Sequence, residues 1–343
     1  MATSVGQGTG AAQQPVTVVI NQLMNQRIRQ SAIGQVALAA APEMGVESLT
    51  GEYPVETSWA GLDLSTGSDP TEPVNPNSTI FPDSYYKFES KSWKIDRYNI
   101  TSFAMADEVA SSVRAATGMD INGYLAEKYG RVAAEVYAKQ VMDLIGDDSQ
   151  WATGHKADSG NVTATTFDVV EEIAYDSLDA LHKSGKLYTD DKLLVVVASD
   201  VMKELQKNQQ LRARVGALQG VVSGETEGLA LTRTLSRTQV EQALAQMFDH
   251  PNVECMTAWD YYVNAAGTKT AFFSGKIAVL PVSGGTRPTF ARTVTLAGST
   301  SPFGELVSDR NVHLRGNEFS ISAFYDVHLS DDQAGFLHYD LLS

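Results

Sequence analysis

One cysteine, Cys255, stands in 343 residues. A single thiol excludes an internal disulfide and any cysteine-built metal cage, and its expected role is that of a buried structural thiol. Basic charge is also scarce. Lysine and arginine number 26 against 41 acidic residues, a formal charge of −15. Such a surface repels phosphate and disfavours tight nucleic-acid binding as the main task, although it does not prevent the chain from enclosing nucleic acid. No apolar run approaches the length that crosses a bilayer, so no membrane partner is expected. Met1 to Gly10 lacks the basic start of a secretory signal, so none is expected.

Chemistry-bearing motifs are missing as well. The six histidines are scattered, and none pairs with another at helical metal-site spacing. The best metal candidate is His328 with His338, flanking Asp331 and Asp332, and a solvated turn is the plainer reading of that stretch. Gly6-Gln7-Gly8-Thr9-Gly10 superficially resembles a phosphate loop but follows no strand and lacks the Walker lysine. No Gly-x-Ser-x-Gly elbow occurs. The acid pairs Asp147-Asp148, Glu171-Glu172 and Asp190-Asp191 are sequence neighbours whose side chains point apart, so each reads as a helix end or solvated face. No catalytic residue, cofactor or metal is therefore expected.

What is present is ordinary globular material, 43% hydrophobic and 20% charged, interrupted by one long polar excursion from Thr50 to Phe103. Pro70, Pro73, Pro76 and Pro82 punctuate its middle, which favours turns and extended backbone. Its second limb, Tyr85 to Asp96, mixes aromatic and polar residues as a strand does. A limb of roughly 20 residues reaches about 65 Å, far beyond the ~15 Å radius of gyration of a 150-residue globule. The stretch around Trp93 is expected to stand out from the body and lie on a neighbour. Tyr86, Phe88, Trp93, Lys87, Lys91 and Arg97 are the candidate contact residues, because aromatic and arginine side chains favour interface hot spots and a basic limb complements an acidic neighbour. Cross-strand packing within the hairpin and stacking on single-stranded nucleic acid are the competing readings.

The rest alternates in type along the chain. Val19 to Ile28 approaches helical spacing within a segment from Pro15 to Ile33. Met105 to Ala116 reads as a short helix broken at Thr117-Gly118. A long helix follows from Asp120, a candidate N-cap, to Ile145. Gly123 and Gly130 within it suggest close backbone approach or curvature. Thr166 to Lys183 is a third helix and Leu193 to Val197 a buried strand. Ser199 or Asp200 is expected to cap a helix through Leu205, and Thr238 to Phe248 forms another. Strands are expected at Val253 to Val263, Thr270 to Leu280, Thr289 to Leu296, Asn311 to Leu314 and Glu318 to Leu329. The class is α+β.

This order of parts resembles the major capsid protein of tailed bacteriophages, the Hong Kong 97-type fold. Tyr98 to Glu108 is similar to the family's passage out of the hairpin, Asp191 to Asp200 to its axial core, and Ser308 to Val327 to its returning strands. The resemblance implies an N-terminal arm (1–49), an E-loop hairpin (50–103), a peripheral domain (104–164) with a spine helix (120–145), an axial domain (165–290) and a return to the peripheral domain (291–343). It implies hexamers and pentamers of an icosahedral shell around phage double-stranded DNA, made in a bacterial cytoplasm and located in the virion. Since fewer than fifty residues precede the hairpin, the resemblance implies a separate scaffolding protein or none, and its other implied partners are a portal and a decoration protein. Gly123 and Gly130 would be bending points of the spine. An encapsulin-type compartment and a soluble α+β enzyme are the alternatives.

Overall fold

The computed structural model describes residues 22, 25, 26, 28–59, 86–118, 121–163, 167–218, 234–259, 261–264, 266–283, 287–297, 299, 302–311, 313 and 315–342. The candidate cap Asp120, the loop Gly6–Gly10 and the proline-rich middle of the excursion lie outside them.

Helix α1 (Ala32–Ala40) starts at Ser31, whose hydroxyl accepts from the Gly34 amide. The described residues of the expected Pro15–Ile33 segment before it, 22, 25, 26 and 28–30, are also helical. Helix α2 (Asp107–Thr117) stops at Gly118, whose φ of +68° suits glycine. Helix α3 (Ile121–Gly146) is the expected long helix, 26 residues spanning about 39 Å. One face buries Ala134, Tyr137, Ala138, Val141 and Ile145. A Cβ added at Gly123 would meet nothing within 4 Å among the described residues.

Two five-stranded sheets carry the body. The first orders β1 (Glu43–Val46), β11 (Ala291–Leu296), β13 (Gly316–Leu329) and β12 (Glu305–Asn311), with β4 (Asp96–Ala106) also paired to β13. The second orders β5 (Lys156–Asp158), β14 (Phe336–Tyr339), β10 (Ile277–Val282), β6 (Lys192–Ala198) and β7 (Val253–Ala258). The continuous apolar run of β6 is central and wholly buried, as a strand covered on both faces must be. A short hairpin of β8 (Tyr261–Val263) and β9 (Lys269–Ala271) stands apart.

Aromatic packing fixes α3 to the first sheet. Tyr137 meets Phe303 at 4.8 Å and Tyr325 at 5.4 Å between ring centroids. Its hydroxyl, 2.7 Å from Thr293 Oγ1, completes the contact, and burial pushes its pKa up. Truncating a buried ring of this kind costs about 3–5 kcal/mol. At the C-terminal end of α3, Trp151 donates to the Ile145 carbonyl at 2.9 Å and stacks on Phe290 at 3.8 Å. Gly335, at φ +154°, passes so close that a Cβ would lie 2.9 Å from the Trp151 ring.

Several expectations need correction. The helix after β6, α5 (Ser199–Leu205), is capped by Ala198 without a side-chain bond. Asp200 instead accepts from the Gly275 amide and the Ser274 hydroxyl. The expected third helix runs first as a π-helical segment (Val170–Tyr175) and then as α4 (Asp176–Lys183). Helix α6 (Gln209–Leu218) was not anticipated. Helix α7 (Arg237–Ala245) opens on Ser236 with a capping box to Gln239. The strand expected at Asn311–Leu314 is β12, which ends at Asn311.

His328 and His338 do not form a pair. His338 sits fully buried on β14, between Ser159 Oγ (2.8 Å) and Ser177 Oγ (2.8 Å). His328 lies on β13 in the other sheet. Asp331 is ion-paired to Lys186 at 2.6 Å, both nearly buried. Among the described residues no group of three His, Cys, Asp or Glu could hold a metal ion. Asp191 is not a solvated acid either: its side chain is 1% exposed and bound by Arg287 at 2.9 Å. Cys255 lies on β7 opposite Val195, and burial pushes its thiol up.

Candidate assembly interface

The excursion forms a hairpin of β2 (Thr50–Trp59) and β3 (Tyr86–Lys94), paired from Thr50↔Lys94 out to Trp59↔Tyr86. Among the described residues these two strands pair with no third. Nine or ten residues at about 3.4 Å each carry the paired strands roughly 30 Å from their root. A register shift between Glu56 and Ser58 marks a bulge, which adds twist.

The root is held by a polar clasp. Asp326, on β13, accepts from the Lys94 amide of β3 (3.2 Å) and from His328 Nδ1 (3.1 Å). With that proton on Nδ1, His328 Nε2 accepts from the Tyr53 hydroxyl of β2 at 2.7 Å. The same hydroxyl lies 3.2 Å from Ser330 Oγ. Thus one Asp–His pair grips both strands. Above it the Tyr53 ring is flanked by Trp93 at 6.0 Å and by the Arg292 guanidinium at 5.6 Å. Arg292 is buried, and desolvation lowers its pKa. Burial also raises that of Tyr53. Sequence reading missed Tyr53, Arg292, Asp326 and His328 in this role. The alternation of Tyr53 and Val55, both buried, was the available signal.

The six candidate contact residues separate into three groups. Tyr86, Lys87 and Phe88 sit at the far end of β3, opposite Trp59, Ser58 and Glu56, and their side chains lie outside the described ones. Lys91 is nearer the root, paired to Glu89 at 3.1 Å. Trp93 is not outstretched: it is half-buried at the root, covers Gly51, and donates from Nε1 to the Ser48 carbonyl at 3.3 Å. Arg97 stands beyond the hairpin on β4, its Nε donating to Ser322 Oγ at 3.1 Å and its guanidinium 5.6 Å from the Phe324 ring.

Removing the clasp tests its function as a hinge restraint. Asp326→Ala deletes the acceptor of both Lys94 and His328, a loss of about 1–3 kcal/mol. Amide hydrogen exchange in β2 and β3 is expected to accelerate roughly tenfold or more, with β6 unchanged. Equal exchange in both proteins would show that the clasp does not restrain the hairpin.

No protein-family model matches this chain, and no curated protein matches it. Solved structures do. A phage-related protein from Bordetella bronchiseptica RB50 is 13% identical, with a TM-score of 0.64 over 96% of this chain and 97% of that one. The capsid of cyanophage P-SCSP1u is 10% identical, at a TM-score of 0.48 over 88% and 86%. The holo-SrpI encapsulin complex from Synechococcus elongatus PCC 7942 is 9% identical, at 0.45 over 91% and 88%. The similarity to the Bordetella protein covers nearly the whole of both chains and shows a shared fold. The chain shares the fold of that phage-related protein, of class α+β.

Proposed function

We propose that this chain is the major capsid protein of a tailed bacteriophage, a non-enzymatic subunit that assembles into hexamers and pentamers of an icosahedral shell. One observation carries the reading: a long hairpin whose strands, among the described residues, pair with no third and whose root is clasped to the body, on a fold shared with a phage-related protein. Its backbone edges and side chains are completed by a second copy, and heterologous contacts of that kind close into rings. Many weak contacts acting together hold such a shell.

In this reading residues 1–49 are the arm, 50–103 the E-loop, 104–164 the peripheral domain with the spine at 120–145, 165–290 the axial domain and 291–343 the return. Tyr86, Lys87, Phe88, Lys91, Trp93 and Arg97 serve the inter-subunit contact, with Trp93 acting from the root by setting the hairpin's exit. The shell encloses double-stranded DNA without reading its sequence, as the −15 charge requires of an inner wall that must not adhere to its contents. A separate scaffolding protein, a portal and a decoration protein complete the particle.

Electron microscopy of the purified, concentrated protein tests this. Closed shells or hexamer and pentamer rings are expected. A protein that stays monomeric at high concentration, alone and with its scaffolding partner, would end the reading.

A further inference from the structure

Among the described residues Arg292 is a buried cation with no anion paired to it. It belongs to β11 of the first sheet and is 3% exposed. Its Nη2 donates to the Arg287 carbonyl at 2.8 Å, and its Nε has no partner. The Tyr53 ring lies 5.6 Å from the guanidinium, a weaker companion than a carboxylate would be. Its register partner across the sheet is His328 on β13. Asp326, on the same strand, is taken by the Lys94 amide and by His328 Nδ1. Arginine keeps its proton, so neutralisation does not relieve the burial.

Two further buried polar atoms lack a partner, Thr289 Oγ1 and the Tyr325 hydroxyl. Thr289 stands just before β11, and Tyr325 on β13 faces Thr295 of β11. The second sheet holds no such atom among the described residues. Unpaired polar burial is costly, and it gathers in the sheet that carries the hairpin.

The cation and its cover belong to different parts of the molecule. Arg292 is fixed in the body, whereas Tyr53 is on β2 and Trp93, 6.0 Å from Tyr53, is on β3. An outward swing of the root lifts Tyr53 off the guanidinium and admits water. Opening therefore loses the hydrogen bonds of the clasp and regains the solvation of a charge. The two effects act on one hinge with opposite sign.

We propose that Arg292 is the release element of the hairpin: its covered charge opposes the closed root, so the clasped and open arrangements stand close to balance. Asp326 and His328 hold the closed arrangement, and Arg292 keeps it reversible. Small changes at the root then reset the hairpin without unfolding either sheet.

Two measurements on the unassembled full chain decide it, and neither depends on a shell forming. Arg292→Met keeps the length of the side chain and removes its charge. Amide exchange in β2 and β3 is expected to slow roughly tenfold or more, with β6 unchanged, the reverse of Asp326→Ala. Unchanged or faster exchange in the hairpin, an equal change in β6, or a variant too unstable to fold overturns the proposal, because the charge would then be neutral or stabilising. The second measurement leaves Arg292 in place. An arginine-directed dicarbonyl reagent with peptide mapping is expected to modify Arg292 as the root opens, and roughly tenfold or more faster in Asp326→Ala. An Arg292 that stays unmodified while the hairpin amides exchange fully, or that reacts equally in both proteins, also overturns it.

Discussion

Replacing Lys186 with methionine is expected to destabilise the subunit by about 3–5 kcal/mol, the cost of leaving a carboxylate buried without its partner. The Lys186 side chain is 2% exposed and Asp331 7%, and the two meet at 2.6 Å. Lys186 follows α4, and Asp331 follows β13, whose neighbouring loop is held by the Ser330 amide bonding the Phe290 carbonyl. The pair therefore ties the segment entering the second sheet to the exit of the first. Asp331→Ala is expected to cost a similar amount. The double replacement Lys186→Met with Asp331→Asn removes both charges, so most of the loss is expected to return. Urea unfolding of the three variants measures this. Additive losses in the double variant would show that the two charges act independently.

Acidification is expected to weaken the fold through His338. Desolvation lowers its pKa to about 3, with Ser159 and Ser177 occupying its two ring nitrogens. In the unfolded chain a histidine titrates near about 6.5. The unfolded state thus binds a proton between these values that the folded state refuses. The stabilising effect is complete above about pH 7 and is lost as pH falls from about 6.5 toward 3, at up to about 1.4 kcal/mol per pH unit. His338→Gln retains a donor and an acceptor but does not titrate. Its stability is expected to fall less steeply below pH 6, by close to one proton's worth. Parallel curves for the two proteins would assign the acid sensitivity elsewhere.

The legible parts of the fold are those whose side-chain pattern reports burial directly. Leu193 to Val197 is apolar without interruption because β6 is covered on both faces. The three- and four-residue spacing from Leu125 to Ile145 marks α3 for the same reason. What escaped has a different physics. Strand β14 is four residues long and places a histidine at the centre of a sheet, where two serine hydroxyls compensate for its polarity. A sequence pattern shows the histidine but not the serines, which come from residues 159 and 177. Strand β12, Glu-Leu-Val-Ser-Asp-Arg-Asn, ends the sheet order, and edge strands tolerate charge.

The candidate interface was legible as a limb but not as a hinge. Aromatic and basic residues announced β3, whereas the clasp depends on Asp326 and His328, more than 230 residues away from Lys94 in the chain. Only the register of β13 brings them to the root. Trp93 shows the limit most clearly. Its residue type fits a subunit contact, and its observed place is a cover over Gly51 within its own chain.

Strand β14 has a bearing on synthesis. It lies between β5 and β10, so the second sheet lacks an interior member until residue 339 has been made. Translation at about 5–20 residues per second puts that strand roughly 3–11 seconds behind Val282, the end of β10. Through that interval a nascent chain holds an open, hydrogen-bond-hungry margin beside β10. Closing that margin last makes synthesis of β14 the step that completes the second sheet.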